Sequence, residues 1–166
     1  ISGMAMDASE RVYAGSDSGT LACFEPDGKE RWSRVETGAD VIGGELYGNP
    51  HREIAFIAAR EPWIALVSSD DTMRVFDGTT GERVIRSFRG CGIFNGAAFS
   101  PSGERVAYTT GNRFEVIERK TGETIASLDV ETWRGADEPT RVAFLDESTV
   151  LVGTENGSLF RVRLRA

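Results

Sequence analysis

Apolar and polar positions alternate with a period of two in four stretches of this chain: TLACFEP (20–26), TMRVFDG (72–78), RFEVIER (113–119) and SLFRVRLR (158–165). That rhythm sends successive side chains to opposite faces and predicts strands. Each stretch is preceded by a β-like run closing on small or turn-forming residues, RVYAGSDSG (11–19), WIALVSSDD (63–71), RVAYTTGN (105–112) and TVLVGTENG (149–157). Each of these follows a segment containing an apolar pair, Ala5-Met6, Ala55-Phe56, Ala98-Phe99 or Ala143-Phe144. In the first three units a glycine turn comes next, at Asp27-Gly28, Thr80-Gly81 or Thr121-Gly122, and then a fourth run, KERWSRV, ERVIRSF or ETIASL. Glycine supplies the positive φ that tight hairpins need at little steric cost.

The pattern is periodic over a longer distance as well. Met6, Phe56, Phe99 and Phe144 lie 50, 43 and 45 residues apart, and the small residues Gly15, Ser68, Thr109 and Gly153 step by 53, 41 and 44. A repeat of this length, each copy a four-stranded antiparallel meander, cannot bury both faces alone and does so by stacking on its neighbours. HREIAFIAAR (51–60) is the one segment with a helical look, and its place in the repeat makes it a first strand. The expectation is an all-β fold: a β-propeller-type array of about four antiparallel four-stranded blades forming one domain over 1–166. The blades fall at roughly 1–37, 38–89, 90–129 and 130–166, and the last is incomplete, its third strand reaching Arg165-Ala166. Either the fourth blade has three strands, in a compact four-bladed or open array, or its open edge invites a covering strand from another chain or from a segment missing here.

AAFSPSGERVAYTTG (97–111) and VFDGTTGERVIRSF (75–88) resemble WD-repeat blades, and RVYAGSDSGTLACFEPDGKERW (11–32) resembles the blades of pyrroloquinoline-quinone-type repeat proteins. The resemblance runs over nearly the whole chain and implies a propeller. It does not carry the families' other devices. Phe76-Asp77 stands where a WD repeat has Trp-Asp, no Gly-His dipeptide is present, and no adjacent cysteines occur of the kind that quinone-binding enzymes of the second family use. No cofactor is expected, and blade stability is expected from apolar packing.

Charge narrows the partners. With 26 acids against 19 bases the net charge is −7, which repels phosphate backbones, so nucleic acid is not an expected partner. No apolar run is long enough to span a bilayer as a helix, and no membrane insertion is expected. The chain opens on Ile-Ser-Gly with no leader-like segment, which suggests a mature or cut product and a larger propeller as its context. Cys23 and Cys91 have no local motif and are expected to be buried, reduced thiols. The compartment is left open, with the cytoplasm favoured.

Candidate chemistry is sparse. His51 is the only histidine, without neighbouring ligand-type residues at metal-site spacing, and no phosphate-loop or nucleophile-elbow motif is present. Enzymatic activity is not expected, and neither catalytic nor metal-binding residues are assigned. In a propeller the long connections between blades share one end with the turns between second and third strands. Here that end would gather Asp17, Tyr47, His51, Asp70, Asp71, Arg89, Phe94, Arg113, Trp133, Arg134, Glu138 and Glu155. Aromatic and arginine anchors among acids suit a binding rim. The expected function is a protein-interaction or scaffold module that offers this face to a peptide or protein, a basic one being its natural complement. The alternatives are a propeller that senses a small ligand or serves a larger enzyme, and a scaffold that completes its ring with another chain. Trp32 and Trp63, within strands, are expected in the core.

Overall fold

The computed structural model describes residues 1–35, 40–42, 45–47, 54–68, 72–89, 94–110, 113–129 and 138–164. Its strands form four successive antiparallel sheets. The first comprises β1 (Gly3–Met6), β2 (Val12–Gly15), β3 (Thr20–Phe24) and β4 (Glu30–Val35). The second comprises β7 (Ile54–Arg60), β8 (Trp63–Ser68), β9 (Thr72–Asp77) and β10 (Arg83–Arg89), and the third β11 (Phe94–Phe99), β12 (Arg105–Thr110), β13 (Arg113–Glu118) and β14 (Thr124–Asp129). The fourth has three strands, β15 (Pro139–Asp146), β16 (Thr149–Thr154) and β17 (Leu159–Arg163). Within each sheet every strand pairs with the next in sequence, so each is an up-and-down meander, a propeller blade. The glycines of the predicted turns take positive φ, +84° at Gly28, +72° at Gly81 and +76° at Gly122.

The first strands line up from blade to blade: β1 packs on β7, β7 on β11 and β11 on β15. Between the blades lie three apolar layers. Ala5, Tyr13, Cys23 and Trp32 of blade 1 meet Ile57, Ile64, Leu66 and Phe76 of blade 2. Phe56, Ala65, Val67 and Val75 of blade 2 meet Ala97, Val106, Tyr108 and Ile117 of blade 3. Ala107, Phe114 and Val116 of blade 3 meet Val142, Val150, Val152 and Val162 of blade 4. The middle blades are covered on both faces, which is why β8 is an unbroken apolar run, WIALVS, rather than an alternating one. Trp32 and Trp63 are half-buried at the blade margins and pack against these layers. Cys23 is buried and carries no disulfide, and burial raises the pKa of its thiol; Cys91 lies outside the described residues.

Two features depart from the sequence expectation. The segment between β4 and β7, where the alternation predicts no strand, contains a short hairpin of β5 (Asp40–Ile42) and β6 (Glu45–Tyr47) lying against β10. The repeat register also shifts in blade 2. Met6, Phe99 and Phe144 pair with Val12, Val106 and Val150, and the matching pair in blade 2 is Ala59 with Ile64. The first-strand equivalent is therefore Ala58-Ala59 rather than Ala55-Phe56, giving steps of 53, 40 and 45 that now agree with the small-residue spacing. The run IAFIAAR is apolar at every position before Arg60, so alternation carries no phase there.

Candidate functional site

At one end of the array the β2–β3 and β16–β17 turns meet the starts of β7 and β15. The Ser16 carbonyl, in the β2–β3 turn, accepts from the Ile54 amide at the start of β7 (3.1 Å), and the Ser2 hydroxyl donates to the Ile54 carbonyl (2.8 Å). In blade 4 the Glu155 amide of the β16–β17 turn donates to the Glu138 carbonyl just ahead of β15 (3.0 Å). Asp17, Glu138 and Glu155 are exposed at this end. Arg113, at the start of β13, donates through Nε to Asp129 at 2.7 Å, and its guanidinium is 3.5 Å from Glu115. It thus braces its own blade rather than standing ready for a ligand. Tyr47, Arg89 and Phe94 have their backbones in β6, β10 and β11, with side chains outside the described set. His51, Asp70, Asp71, Trp133 and Arg134 lie outside the described residues. Among the described residues no group of three or more His, Cys, Asp or Glu side chains is gathered as metal ligands would be, and no helix is long and apolar enough to cross a membrane.

The most elaborate polar cluster lies at the opposite end, at the junction of blades 1 and 2. Asp7, whose side chain is 1% exposed, accepts from the Arg11 guanidinium (2.8 and 2.9 Å), the Tyr13 hydroxyl (2.8 Å) and the amides of Ser9 (2.9 Å) and Arg11 (3.1 Å). Arg11 also reaches Glu61 of blade 2 (2.9 Å), which accepts from the Ser9 hydroxyl (2.8 Å). Burial alone would raise the Asp7 pKa, but the Tyr13 hydroxyl and the Arg11 amide and guanidinium outweigh it and hold the carboxyl below its ordinary range. Burial, reinforced by the bond to Asp7, pushes the Tyr13 phenol well above its usual value. With its lone pairs occupied from five directions, this carboxylate is a brace between blades, not a free acid or base. Nothing in the sequence marked it, because Asp7 and Arg11 flank an ordinary turn and Glu61 is 50 residues from Arg11.

Further side chains stitch the same end at all three junctions. The Trp32 indole donates to the Gly78 carbonyl (3.0 Å). Arg119 stacks over Trp63, 3.9 Å from the ring centre, while its Nε donates to the Gly103 carbonyl (2.8 Å). Glu147 of blade 4 accepts from the Ser102 hydroxyl (2.9 Å), and Arg105 donates to the Glu147 carbonyl (2.6 Å). One end of the array is thus fixed by side chains, and the other presents backbone connections and exposed carboxylates.

The array superposes on propellers of known structure. The computationally designed Ika4 protein matches with a TM-score of 0.78 at 17% identity, over 99% of this chain and 91% of that one. The designed Ika8 protein matches with 0.77 at 17% identity, over 99% of this chain and 46% of that one. U3-55K gives 0.72 at 12% identity, over 97% of this chain and 51% of that one. This chain therefore spans about half the length of the latter two, and at these identities the likeness is one of fold. A sequence search of curated proteins finds no match. The quinoprotein-type repeats read in blade 1 extend through the other blades: the PQQ_2 family model, described as outer membrane protein assembly factor BamB, matches residues 2–165, and the chain belongs to that family.

Proposed function

We propose that the protein is an interaction module that works by holding a peptide or protein against its connection-lined end, not by catalysis. The Ser16–Ile54 and Glu138–Glu155 backbone bonds support this reading, because exposed Asp17, Glu138 and Glu155 lie at the end where β7 and β15 begin. The family description supports it, since an assembly factor acts by binding other chains. The partner it favours is a basic segment: the described acids of this end are exposed, whereas Arg113 is engaged by Asp129 and Glu115.

An array of immobilised basic, acidic and neutral peptides, probed with the full chain, tests the proposal. Lysine- and arginine-bearing peptides should be retained, with retention falling as salt rises. The triple variant Asp17→Lys, Glu138→Lys, Glu155→Lys should lose them while keeping its melting temperature. Retention indifferent to the triple reversal, or none of any peptide class, would count against this face as the binding site.

A further inference from the structure

Each internal junction of the array follows one pattern. On the side facing the preceding blade, a first-, second- and third-strand residue form a row: Ala59, Ile64 and Phe76 in blade 2, Phe99, Val106 and Ile117 in blade 3, Phe144, Val150 and Val162 in blade 4. Ile64, Phe76, Val106, Ile117 and Val150 are completely buried there. Blade 1 carries the same row, Met6, Val12 and Phe24, and beside it Met4, Ala14 and Ala22. Among the described residues no blade covers it: Met4 is 67% and Met6 63% exposed. A depression of about 490 Å³ lies on this face, lined by Met6, Val12, Phe24, Pro26, Glu10 and Glu25. Glu30, paired across from Phe24, adds another carboxylate; Glu25 is itself paired with Arg31, so Glu10 and Glu30 carry the negative charge of this face.

Blade 4 is open on its other side. The row that faces the following blade elsewhere, Ala5–Tyr13–Cys23, Ala58–Ala65–Val75 and Ala98–Ala107–Val116, becomes Ala143–Leu151–Arg161. Cys23, Val75 and Val116 are completely buried, and Arg161 stands at their position on an exposed face with Arg163 and the exposed Leu145 and Leu159. One end of the array is thus apolar with carboxylates, and the other apolar with guanidinium groups. Among the described residues β15 makes no contact with β1 comparable to those joining the other first strands. The array superposes on about half of two longer chains and on 91% of the designed Ika4 chain.

We propose that these two faces meet in trans, blade 4 of one copy on blade 1 of a second, so that two copies of this chain close head to tail into a single eight-bladed ring. Carboxylates facing arginines set the order of the blades, and the apolar rows supply the burial that every internal junction already shows. The two-fold axis makes both junctions identical, which limits the assembly to two copies rather than an open filament.

Light scattering and native mass spectrometry of the full chain test this directly. The wild-type chain should have twice its own mass, with an association that weakens as salt rises. Reversing the acids, Glu10→Arg with Glu30→Arg, or the bases, Arg161→Glu with Arg163→Glu, should each weaken association by about tenfold or more. All four positions lie at the surface, and unchanged circular dichroism and melting of the protomer would confirm that folding is intact. Mixing the two variants is the decisive arm. In a heterodimer both junctions again pair acid with base, so the mixture should recover the two-copy mass that neither variant forms alone. A monomer at all concentrations would overturn the proposal and leave further blades of a longer chain as the cover. Assemblies larger than two, or a dimer insensitive to both reversals, would overturn it as well.

Discussion

Replacing Asp7 by Ala should loosen the junction between blades 1 and 2 at a cost comparable to a core truncation. The loss can be worked out from its partners. Asp7 and Arg11 are almost fully enclosed, and breaking such a pair by removing one member costs about 3–5 kcal/mol, mostly because a buried charge is left uncompensated. Arg11 retains Glu61 at 2.9 Å, which places the expected loss at the lower end, about 3 kcal/mol. Tyr13→Phe removes one acceptor-directed hydroxyl while Asp7 keeps its other donors, so about 1 kcal/mol is expected. The Asp7→Ala, Tyr13→Phe double variant should lose less than the sum, since the hydroxyl has no acceptor once Asp7 is gone.

The location of the loss discriminates further. Among the described residues of one copy blade 1 packs on blade 2, and in a stacked array stability is the sum of unit and nearest-neighbour terms. The weakened junction should release β1–β4 before the rest. Hydrogen exchange should show faster opening in residues 3–35 and unchanged protection in β11–β14, with urea denaturation giving the total. A pH scan adds the sign. Because the folded-state pKa of Asp7 is depressed, its contribution is fully present above the ordinary carboxylate pKa. It is lost as pH falls through the lower folded value. The acid-side slope should therefore be shallower in Asp7→Ala. A cost below about 1 kcal/mol, or protection lost equally in all blades, would refute the brace.

Two other substitutions follow from local packing. Gly15→Ala would put a Cβ 2.4 Å from Ile54 Cγ2 and 2.7 Å from its Cβ, so overpacking should cost about 1–3 kcal/mol at the blade 1–blade 2 junction, read as a lower melting temperature. Thr109→Val should be neutral or stabilising by up to about 1 kcal/mol, because the buried Thr109 hydroxyl has no hydrogen-bond partner among the described residues; a clear loss in urea denaturation would show that it has one.

The blades were legible because strand alternation and turn glycines are local signals. Phe24, Phe76, Ile117 and Val162 mark equivalent places in four third strands whether or not a neighbour covers them. Register failed where the local signal is empty: IAFIAAR has apolar residues at every position but its last, so only the pairing of Ala59 with Ile64 fixes its phase. The β5–β6 hairpin went unread for the converse reason, since two three-residue strands are too short to establish a period. At the rim, topology placed Asp17, Glu138 and Glu155 at the end where they are found. It could not show that Arg113 would be taken up by Asp129 in its own blade. The Asp7 brace depends on a contact between turns 50 residues apart, and no local pattern encodes such a contact.

That distinction bears on the two ends of the array. A stack of similar units stays soluble when its outermost faces are rewritten in polar residues. Blade 4 is partly rewritten, with Arg161 at the place of Cys23, Val75 and Val116. Blade 1 is not: Met6, Val12 and Phe24 keep the apolar character of the rows that are buried in blades 2 and 3, and the acids are added around them. A surface meant only for water would have no need of an aromatic and a methionine at positions that elsewhere form the core. A surface meant for an arbitrary apolar partner would have no need of carboxylates matching the arginines at the far end of the same chain. Both features follow if the face of blade 1 is a junction like the others, with its covering blade supplied by a second copy.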